Sequence, residues 1–174
     1  MAVTRQRKLE VAQRSYQLLT EKYGMAPEDL YFDPLVFPCA SGDKQYVGSG
    51  VETIEGVRLI KQHLPRSKTV LGISNVSFGL PTAGREVLNS VFLHECQQAG
   101  LDAAMVDPAR IMPLNRIPED QKQVCLDLIY DRRRSVANGD PDDYDPLQVL
   151  LGMFEGVTAG SVEKEDRSGW TVDA

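Results

Sequence analysis

The stretch that decides the fold is Thr69-Val-Leu-Gly-Ile-Ser-Asn-Val-Ser-Phe-Gly79. An apolar strand, predicted over residues 69–73, runs into Ser-Asn-Val-Ser, which presents one amide and two hydroxyls at its carboxyl end. In parallel α/β folds, ligands bind at the carboxyl ends of the strands. An asparagine there donates and accepts hydrogen bonds at once, which suits a heterocycle with mixed ring nitrogens. We therefore interpret the stretch as a ligand-contacting strand end rather than as plain core.

Composition and charge describe an ordinary globular chain and exclude several function classes. Of the 174 residues, 42% are hydrophobic and 25% are charged, which is enough for one domain with a sizeable core. The net charge of -6 argues against a nucleic-acid partner, because a phosphate footprint needs clustered Lys and Arg. No apolar run approaches the ~18 residues of a membrane span, and the start has no signal-peptide core. We expect a soluble, cytoplasmic protein with no membrane partner.

The cysteines and histidines offer no metal-binding or catalytic set. Cys39, Cys96 and Cys125 are widely spaced and fit neither a disulfide framework nor a zinc site, so reduced thiols are the simpler interpretation. His63 and His94 have no triad partner nearby in the sequence. No metal site is predicted, and the glycines around residues 42–50 do not follow a phosphate-binding order.

Helical and strand patterns alternate along the chain. Apolar residues at steps of three and four predict helices, and short apolar runs predict strands. The first predicted helix is capped by Thr4 and Gly24, its apolar stripe ends at Tyr23, and a strand over 29–34 follows it. The second helix is opened by a capping box of Ser49 and Glu52 and stopped by Pro65, and a strand over 69–73 follows it. The remaining elements are a helix over 83–99, a strand over 101–106, a helix from Pro118, an exposed acidic linker over 138–145 and a short helix to Phe154. Strands separated by helices of this length imply a parallel sheet. Three strands are few for such a sheet, so the pattern looks like the last part of something larger.

Each predicted strand ends in a polar group. Asp33 follows the first strand, Asn75 and Ser77 follow the second, and Asp107 follows the third. Parallel strands would place all of these side chains on one rim. An Asp before Pro also caps a turn without any further role, and that interpretation stays open for each Asp-Pro pair. Three polar strand ends in succession favour a binding rim, although spacing alone names no ligand.

Two motifs carry a family resemblance. The sequences at 32–37 and 72–79 together resemble the folate-binding (pterin-binding) domain of cobalamin-dependent methionine synthase and of the corrinoid methyltransferases that use methyltetrahydrofolate. Residues 4–8, 129–133 and 145–156 are similar to the same family, so the resemblance spans about residues 2–156.

The resemblance implies an α/β fold, a partial TIM (β/α)8 barrel. This chain carries its last three strands with their helices, followed by a linker and a short helix. We assign residues 1–135 to the carboxyl-terminal part of the pterin-binding barrel domain. Residues 136–174 are assigned to the acidic linker, the short helix and a tail that leads toward the cap of a cobalamin module. The Asp-x-His-x-x-Gly motif of that module is absent from the sequence, so this chain alone is expected to bind no cofactor.

The resemblance also gives roles to individual residues. Asp33 matches the aspartate that holds the amino-pyrimidine edge of the pterin, where a carboxylate accepts two N–H bonds. Asn75 matches the asparagine near N5 of the folate and is the predicted catalytic residue, because N5 leaves poorly unless it is protonated or hydrogen-bonded. Ser77 is either a substrate contact or a turn hydroxyl. Phe78 stands where some relatives have Gln, and Asp107 stands where a relative can have Asn, so its role is left open.

The implied function is part of a methyltransferase. Its substrate would be 5-methyltetrahydrofolate, whose N5-methyl group passes to cob(I)alamin on another domain or protein, and thence to homocysteine. This fragment alone is expected to be inactive, because three of eight strands cannot close a barrel. Two alternatives stay open. One is a non-catalytic half-barrel subunit that pairs with a separate chain carrying the remaining strands, and the other is a pterin binder similar to dihydropteroate synthase.

Overall fold

The structure is a computed structural model that describes residues 1–157 of the chain. Its principal elements are α1 (Arg5–Gln17), β1 (Tyr31–Phe32), α2 (Ser49–His63), β2 (Lys68–Gly72), α3 (Thr82–Gln98), β3 (Ala103–Met105), α4 (Glu119–Ile129) and α5 (Pro146–Met153). This order is the one that the alternating sequence patterns predict. The predicted tail beyond residue 157 lies outside the described residues.

The three strands form one parallel sheet in the order β1-β2-β3. Tyr31 is paired with Lys68, and Val70 with Ala103. The predicted α/β fold class is therefore confirmed. Strands β1 and β3 are shorter than the runs that predicted them, whereas β2 has the predicted length and begins one residue earlier. Strand β1 has two residues, because Pro34 follows closely and has no N–H to donate to a ladder.

The Ser-Asn-Val-Ser run does not continue strand β2. Residues Ile73–Ser77 form a single 3-10 helix, here called the 73–77 turn, directly after the strand ends at Gly72. The turn buries Ile73 and Val76 completely and leaves Ser74 and Asn75 exposed. A strand would have shown its side chains alternately to two faces, whereas the 3-10 turn projects Asn75 from the edge of the sheet.

Helix α1 begins as predicted, but it ends at Gln17 and continues as a π-helical turn before the predicted cap Gly24, and its apolar stripe is shorter. The hydroxyl of Thr4 accepts a hydrogen bond from the backbone N–H of Arg7 at 3.3 Å, and Gly24 adopts a left-handed conformation with φ of 68°. A π-helical turn at Leu18–Lys22 shifts the register of the side chains after α1. Tyr23 is consequently 63% exposed, so its predicted place on the buried stripe is wrong.

The predicted capping box at the start of α2 is also wrong. The residue before the helix is Gly48, with φ of 74°, and the hydroxyl of Ser49 donates to the carbonyl oxygen of Phe37 at 3.2 Å. Glu52 does not reach back to cap the helix, because its carboxylate accepts hydrogen bonds from Arg5 Nε at 2.9 Å and Nη2 at 2.7 Å. Both side chains thus serve tertiary contacts, one to the loop after β1 and one to α1.

The main core lies between the sheet and helices α2, α3 and α4. Its most deeply buried side chains include Ile54, Leu71, Phe92, Leu128 and Ile129, all at most 1% exposed. Cys39, Cys96 and Cys125 are buried and unpaired, which confirms the predicted free thiols. Desolvation raises the pKa of Cys39 and of Cys125 to about 12, so neither thiol ionises near neutral pH.

Helix α5 packs into the same core as α3 and α4. Leu147, Leu150 and Phe154 are at most 5% exposed and belong to the main cluster. The acidic stretch before α5 is exposed at residues 141–143. An antiparallel backbone bridge between Arg134 and Tyr144 closes the loop that contains this stretch. The assignment of residues 1–135 and 136–174 to separate regions stays a prediction.

The amino-terminal edge of the sheet is held by Asp102. Its carboxylate accepts hydrogen bonds from the backbone N–H of Thr69 at 2.7 Å, from the Thr69 hydroxyl at 3.1 Å and from the Lys61 ammonium at 2.8 Å. Partial burial acts to raise the pKa of Asp102, but these hydrogen bonds outweigh it and hold the pKa below its ordinary value. The contacts join α2, β2 and β3 at the end of the sheet opposite to the predicted rim.

Candidate functional site

Polar side chains gather at the carboxyl-terminal edge of the sheet. We call this edge the rim and define it by residues 33–37, 73–77 and 107–111, which follow β1, β2 and β3. Asp33, Asn75 and Asp107 are all exposed there, whereas Ser77 is fully buried. The parallel pairing of the strands explains why these residues, far apart in the sequence, share one edge.

Asn75 links two segments of the rim. Its side-chain Nδ2 donates a hydrogen bond to the carbonyl oxygen of Val36 at 2.5 Å. Because the partner is a carbonyl, the amide nitrogen must face it, and the Asn75 Oδ1 points away as an acceptor. Among residues 1–157 this side chain makes no second hydrogen bond. Asn75 therefore presents one acceptor and one spare N–H to the space above the sheet.

Asp33 forms a turn on itself and keeps one carboxylate oxygen available. Its Oδ1 accepts a hydrogen bond from the backbone N–H of Leu35 at 2.8 Å. Leu35 has a left-handed conformation with φ of 65°, which is uncommon for a residue with a side chain. Asp33 therefore does cap a turn, as the sequence allowed. The other oxygen of its carboxylate, Oδ2, has no hydrogen-bond partner in the described part of the chain.

Ser77 is occupied within the 73–77 turn. Its hydroxyl donates to the carbonyl oxygen of Ser74 at 3.1 Å and accepts from Nε of Arg85 at 3.2 Å. Arg85 also donates from Nη2 to the carbonyl oxygen of Ser74 at 3.1 Å. The sequence left two roles open for Ser77, and these contacts show the hydroxyl in one of them, as part of the turn. Direct contact between Ser77 and a substrate stays a prediction.

A cleft of about 440 Å³ opens at the rim between the ends of β2 and β3. It is lined by polar side chains from the 73–77 turn, from α3 and from the segment after β3, among them Ser74, Arg85, Glu86, Asn89, Asp107 and Arg110. The Oδ1 of Asn89 is buried and has no hydrogen-bond partner among the described residues. A buried acceptor without a partner is costly, so Asn89 is a polar residue beside the cleft whose amide is not fully satisfied by the described residues.

Sequence reasoning missed Arg85 and Asn89. They stand four residues apart near the start of α3, so they share the helix face that meets the rim. That spacing of polar residues at the amino end of a helix following a strand is the signal that could have found them. Asp107, whose role the sequence left open, accepts from the N–H of Ala109 at 3.1 Å and lies 3.4 Å from Nε of Arg110.

The described residues offer no histidine at the cleft and no metal-binding group. Neither His63 nor His94 lines the cleft, and His63 Nδ1 lies 2.9 Å from the carbonyl oxygen of Leu59 in its own helix. Within residues 1–157, no group of three His, Cys, Asp or Glu side chains is placed to hold a metal ion. None of the helices in this part of the chain combines the length and the apolar character that a bilayer crossing requires.

Comparison with known proteins identifies the family. A family model described as "Pterin binding enzyme" matches residues 1–107, the range that contains all three strands together with Asp33 and Asn75. The chain belongs to the pterin-binding enzyme family. Membership confirms the resemblance read from residues 32–37 and 72–79. The three parallel strands with their covering helices correspond to part of the TIM barrel of that family.

Two relatives indicate which members of the pterin-binding family this chain is similar to. The methionine synthase of Mycobacterium tuberculosis (strain ATCC 25618 / H37Rv) is 51% identical over 166 residues, which are 95% of this chain and 13% of the relative. The methionine synthase of Mycobacterium leprae (strain TN) is 47% identical over 166 residues, with the same coverage. The chain therefore spans only 13% of the length of the curated relatives that it matches. The names of these relatives and the match to the pterin-binding family support the interpretation that this chain is part of a folate-binding methyltransferase.

Proposed function

We propose that this chain supplies one side of a 5-methyltetrahydrofolate site in a methyltransferase of the methionine synthase type. The observation that carries the proposal is the hydrogen bond from Asn75 to the carbonyl oxygen of Val36, which ties the segment after β2 to the segment that carries Asp33. Membership of the pterin-binding family supports the ligand, and the two methionine synthase relatives support the reaction.

Asp33 holds the amino-pyrimidine edge of the pterin. A carboxylate suits an edge that offers N–H donors, because charge-assisted hydrogen bonds are roughly twice as strong as neutral ones. One oxygen of Asp33 is already committed to the N–H of Leu35, which fixes the plane of the carboxylate. The second oxygen faces the ligand without a competing partner from residues 1–157.

Asn75 acts at N5 of the folate. Its Nδ2 is held by Val36, so its Oδ1 is the atom available to accept a hydrogen bond from protonated N5. As the methyl group leaves, the electrons of the N5–methyl bond return to N5, and protonation of N5 makes it a better leaving group. A fixed acceptor favours that protonated form without having to reorganise during the reaction. Ser77 keeps the 73–77 turn closed and is the weaker candidate for substrate contact.

Cobalamin and the rest of the barrel come from outside the described residues. Cob(I)alamin on another domain or protein supplies the nucleophile that receives the methyl group, and homocysteine is the final acceptor. Further strands, in the same polypeptide or in a separate subunit, complete the wall around the pterin. Residues 136–174 form the region that leads from the barrel part toward the cobalamin-carrying domain.

A chimera tests the proposal. The stretch of the Mycobacterium tuberculosis methionine synthase that matches this chain is replaced by the matching 166 residues of this chain, and methionine formation from methyltetrahydrofolate and homocysteine is measured. We expect the chimera to be active and the 174-residue chain alone to transfer no methyl group to cobalamin. A folded chimera that binds no methyltetrahydrofolate would contradict the proposal, and methyl transfer by the chain alone would contradict its dependence on further strands.

A separate subunit is the second candidate arrangement. Strand β1 pairs only with β2, and β3 only with β2, so both outer edges of the described sheet offer unpaired backbone groups. Coding sequence upstream of Met1 distinguishes the two arrangements. Continuous coding for further strands indicates one long polypeptide, whereas a stop codon followed by a ribosome-binding site indicates a partner chain.

A further inference from the structure

Lys8 is a buried ammonium that reaches the segment carrying Asp33. Its side chain starts on α1, is 2% exposed, and ends with Nζ donating to the carbonyl oxygens of Pro34 at 2.5 Å and Leu35 at 2.9 Å. The ammonium also lies 4.9 Å from the ring centroid of Phe37. Lys8 therefore contacts residues on both sides of the left-handed turn at Leu35.

Helix α2 leaves room for this side chain. A Cβ atom added to Gly56 would lie 2.6 Å from Cδ of Lys8, which is closer than two non-bonded carbon atoms can approach. Thr53, one turn earlier on α2, donates its hydroxyl to the same Leu35 carbonyl oxygen at 3.2 Å. The path from α1 across α2 to the loop is thus shaped around a lysine, and an apolar side chain would leave both carbonyl oxygens with fewer donors.

Burying an ammonium is costly, which argues for a purpose beyond packing. Desolvation lowers the pKa of Lys8 to about 8, although the negative charges of Asp33 and Glu52 act in the opposite direction. Glu52 is itself paired with Arg5, so Asp33 is the carboxylate in this neighbourhood that has no cationic side chain bonded to it. Lys8 and Asp33 consequently act on one short segment, one through its carbonyls and the other through the N–H of Leu35.

We propose that Lys8 is a positioning residue for the proposed pterin site, because it fixes the backbone of residues 33–36. That backbone orients Asp33 at one end and presents the Val36 carbonyl to Asn75 at the other. Removal of the ammonium releases the Pro34 carbonyl, leaves the Leu35 carbonyl with the Thr53 hydroxyl as its side-chain donor, and lets the left-handed turn at Leu35 relax. The inference rests on the proposed function, since it assigns Lys8 to the placement of the same two contacts.

The first test observes the segment directly in the 174-residue chain. Carbonyl ¹³C shifts of Pro34 and Leu35 are followed by NMR between pH 6.5 and 9.5 in the wild type, in Lys8→Met and in Lys61→Met. Lys61→Met is the matched control, because Lys61 bonds Asp102 at the opposite edge of the sheet. We expect a midpoint near the Lys8 pKa of about 8 in the wild type and in the control, and no such titration in Lys8→Met.

The second test measures the consequence for the ligand. In the chimera described above, Lys8→Met is expected to weaken methyltetrahydrofolate binding roughly ten-fold or more, and Lys61→Met to leave it unchanged. If Lys8→Met does not fold, Gly56→Ala replaces it, since the added methyl displaces Cδ of Lys8 while keeping the ammonium. The expected result is then a displaced midpoint in the carbonyl titration.

The outcomes separate the two proposals. Pro34 and Leu35 carbonyl shifts that do not respond to loss of the Lys8 ammonium, or unchanged ligand affinity in Lys8→Met, overturn the positioning role. A chimera that binds no methyltetrahydrofolate with Lys8 intact overturns the proposed function instead. In that case the carbonyl titration still decides whether Lys8 fixes residues 33–36.

Discussion

The side-chain amide of Asn75 donates to the carbonyl oxygen of Val36 at 2.5 Å, across 39 residues of sequence. This contact joins the turn after β2 to the segment after β1. It also sets which atom of the amide is left free to face the proposed ligand, because a carbonyl partner accepts only from nitrogen. The orientation of the predicted catalytic residue is therefore decided by a backbone atom of the neighbouring segment.

Asn75→Asp is expected to break this link with almost no change in side-chain size. A carboxylate offers no donor to Val36, and its oxygens would oppose the Val36 carbonyl oxygen. We expect methyl transfer in the chimera to fall about 100-fold, as happens when one positioned hydrogen-bonding group is lost from an active site. Asn138→Asp, the same change at an exposed position away from the rim, serves as the control. Equal rates in both variants would refute a role for Asn75.

Asp33→Asn is expected to weaken binding of methyltetrahydrofolate roughly ten-fold or more. The amide oxygen can still accept from the N–H of Leu35, so the turn survives, but the charge that would strengthen the proposed hydrogen bonds to the pterin is lost. Asp43→Asn is a matched control, because Asp43 makes the same turn contact with the N–H of Gln45 at 2.9 Å. Isothermal titration calorimetry of the chimera checks the affinity. A loss of affinity that is the same in both variants would argue against the assignment.

Gly79→Ala is expected to destabilise the fold more than Gly42→Ala. Both glycines have positive φ, 107° and 76° respectively. An added Cβ at Gly79 would lie 2.7 Å from the carbonyl oxygen of Ala40, whereas at Gly42 it would meet nothing within 4 Å. We expect a cost of about 1 kcal/mol at Gly42, from backbone strain alone, and of at least about 2 kcal/mol at Gly79. Urea unfolding measures both, and equal losses would show that the close approach to Ala40 is relieved without cost.

Asp102→Asn is expected to destabilise the protein near neutral pH and to matter less in acid. Because the pKa of Asp102 is lowered in the folded state, its ionised form contributes stability above the unfolded pKa, and that contribution is lost as pH falls through the folded value. We expect a loss of about 1–2 kcal/mol at pH 7 from the weakened contacts with Thr69 and Lys61. From about pH 4 downward the difference between the wild type and the variant should shrink progressively, and it should vanish only below the folded pKa of Asp102.

The control for this prediction is Asp142→Asn. Asp142 pairs with Arg134 on the surface, where solvent screens the pair, so its loss should leave the free energy of unfolding nearly unchanged. Denaturant unfolding at several pH values gives both comparisons. A gap between wild type and Asp102→Asn that stayed constant down to pH 3 would contradict the linkage to the Asp102 carboxylate.

Much of the fold was predictable because it depends on short-range patterns. Helix periodicity, the Thr4 cap and the Asp-Pro strand ends act within a few residues, and each is where the sequence indicated. One error arises where a distant partner competes with a local one, and another arises from a change of register within a helix. Glu52 favours Arg5 over its own helix start, and the π-helical turn near Leu18 turns Tyr23 outward.

The sequence by itself determined the parallel α/β order, the family resemblance, and the polar strand ends Asp33 and Asn75, because side-chain periodicity and motif identity are local properties. Only the tertiary structure decided what those side chains face. The Asn75 contact with Val36, the reach of Lys8 to Pro34, and the placement of Arg85 and Asn89 in one cleft depend on how helices pack against the sheet. A local pattern can place such residues on one helix face or at one strand end, but it does not encode the contacts themselves, since these form between segments that meet only when the core is buried.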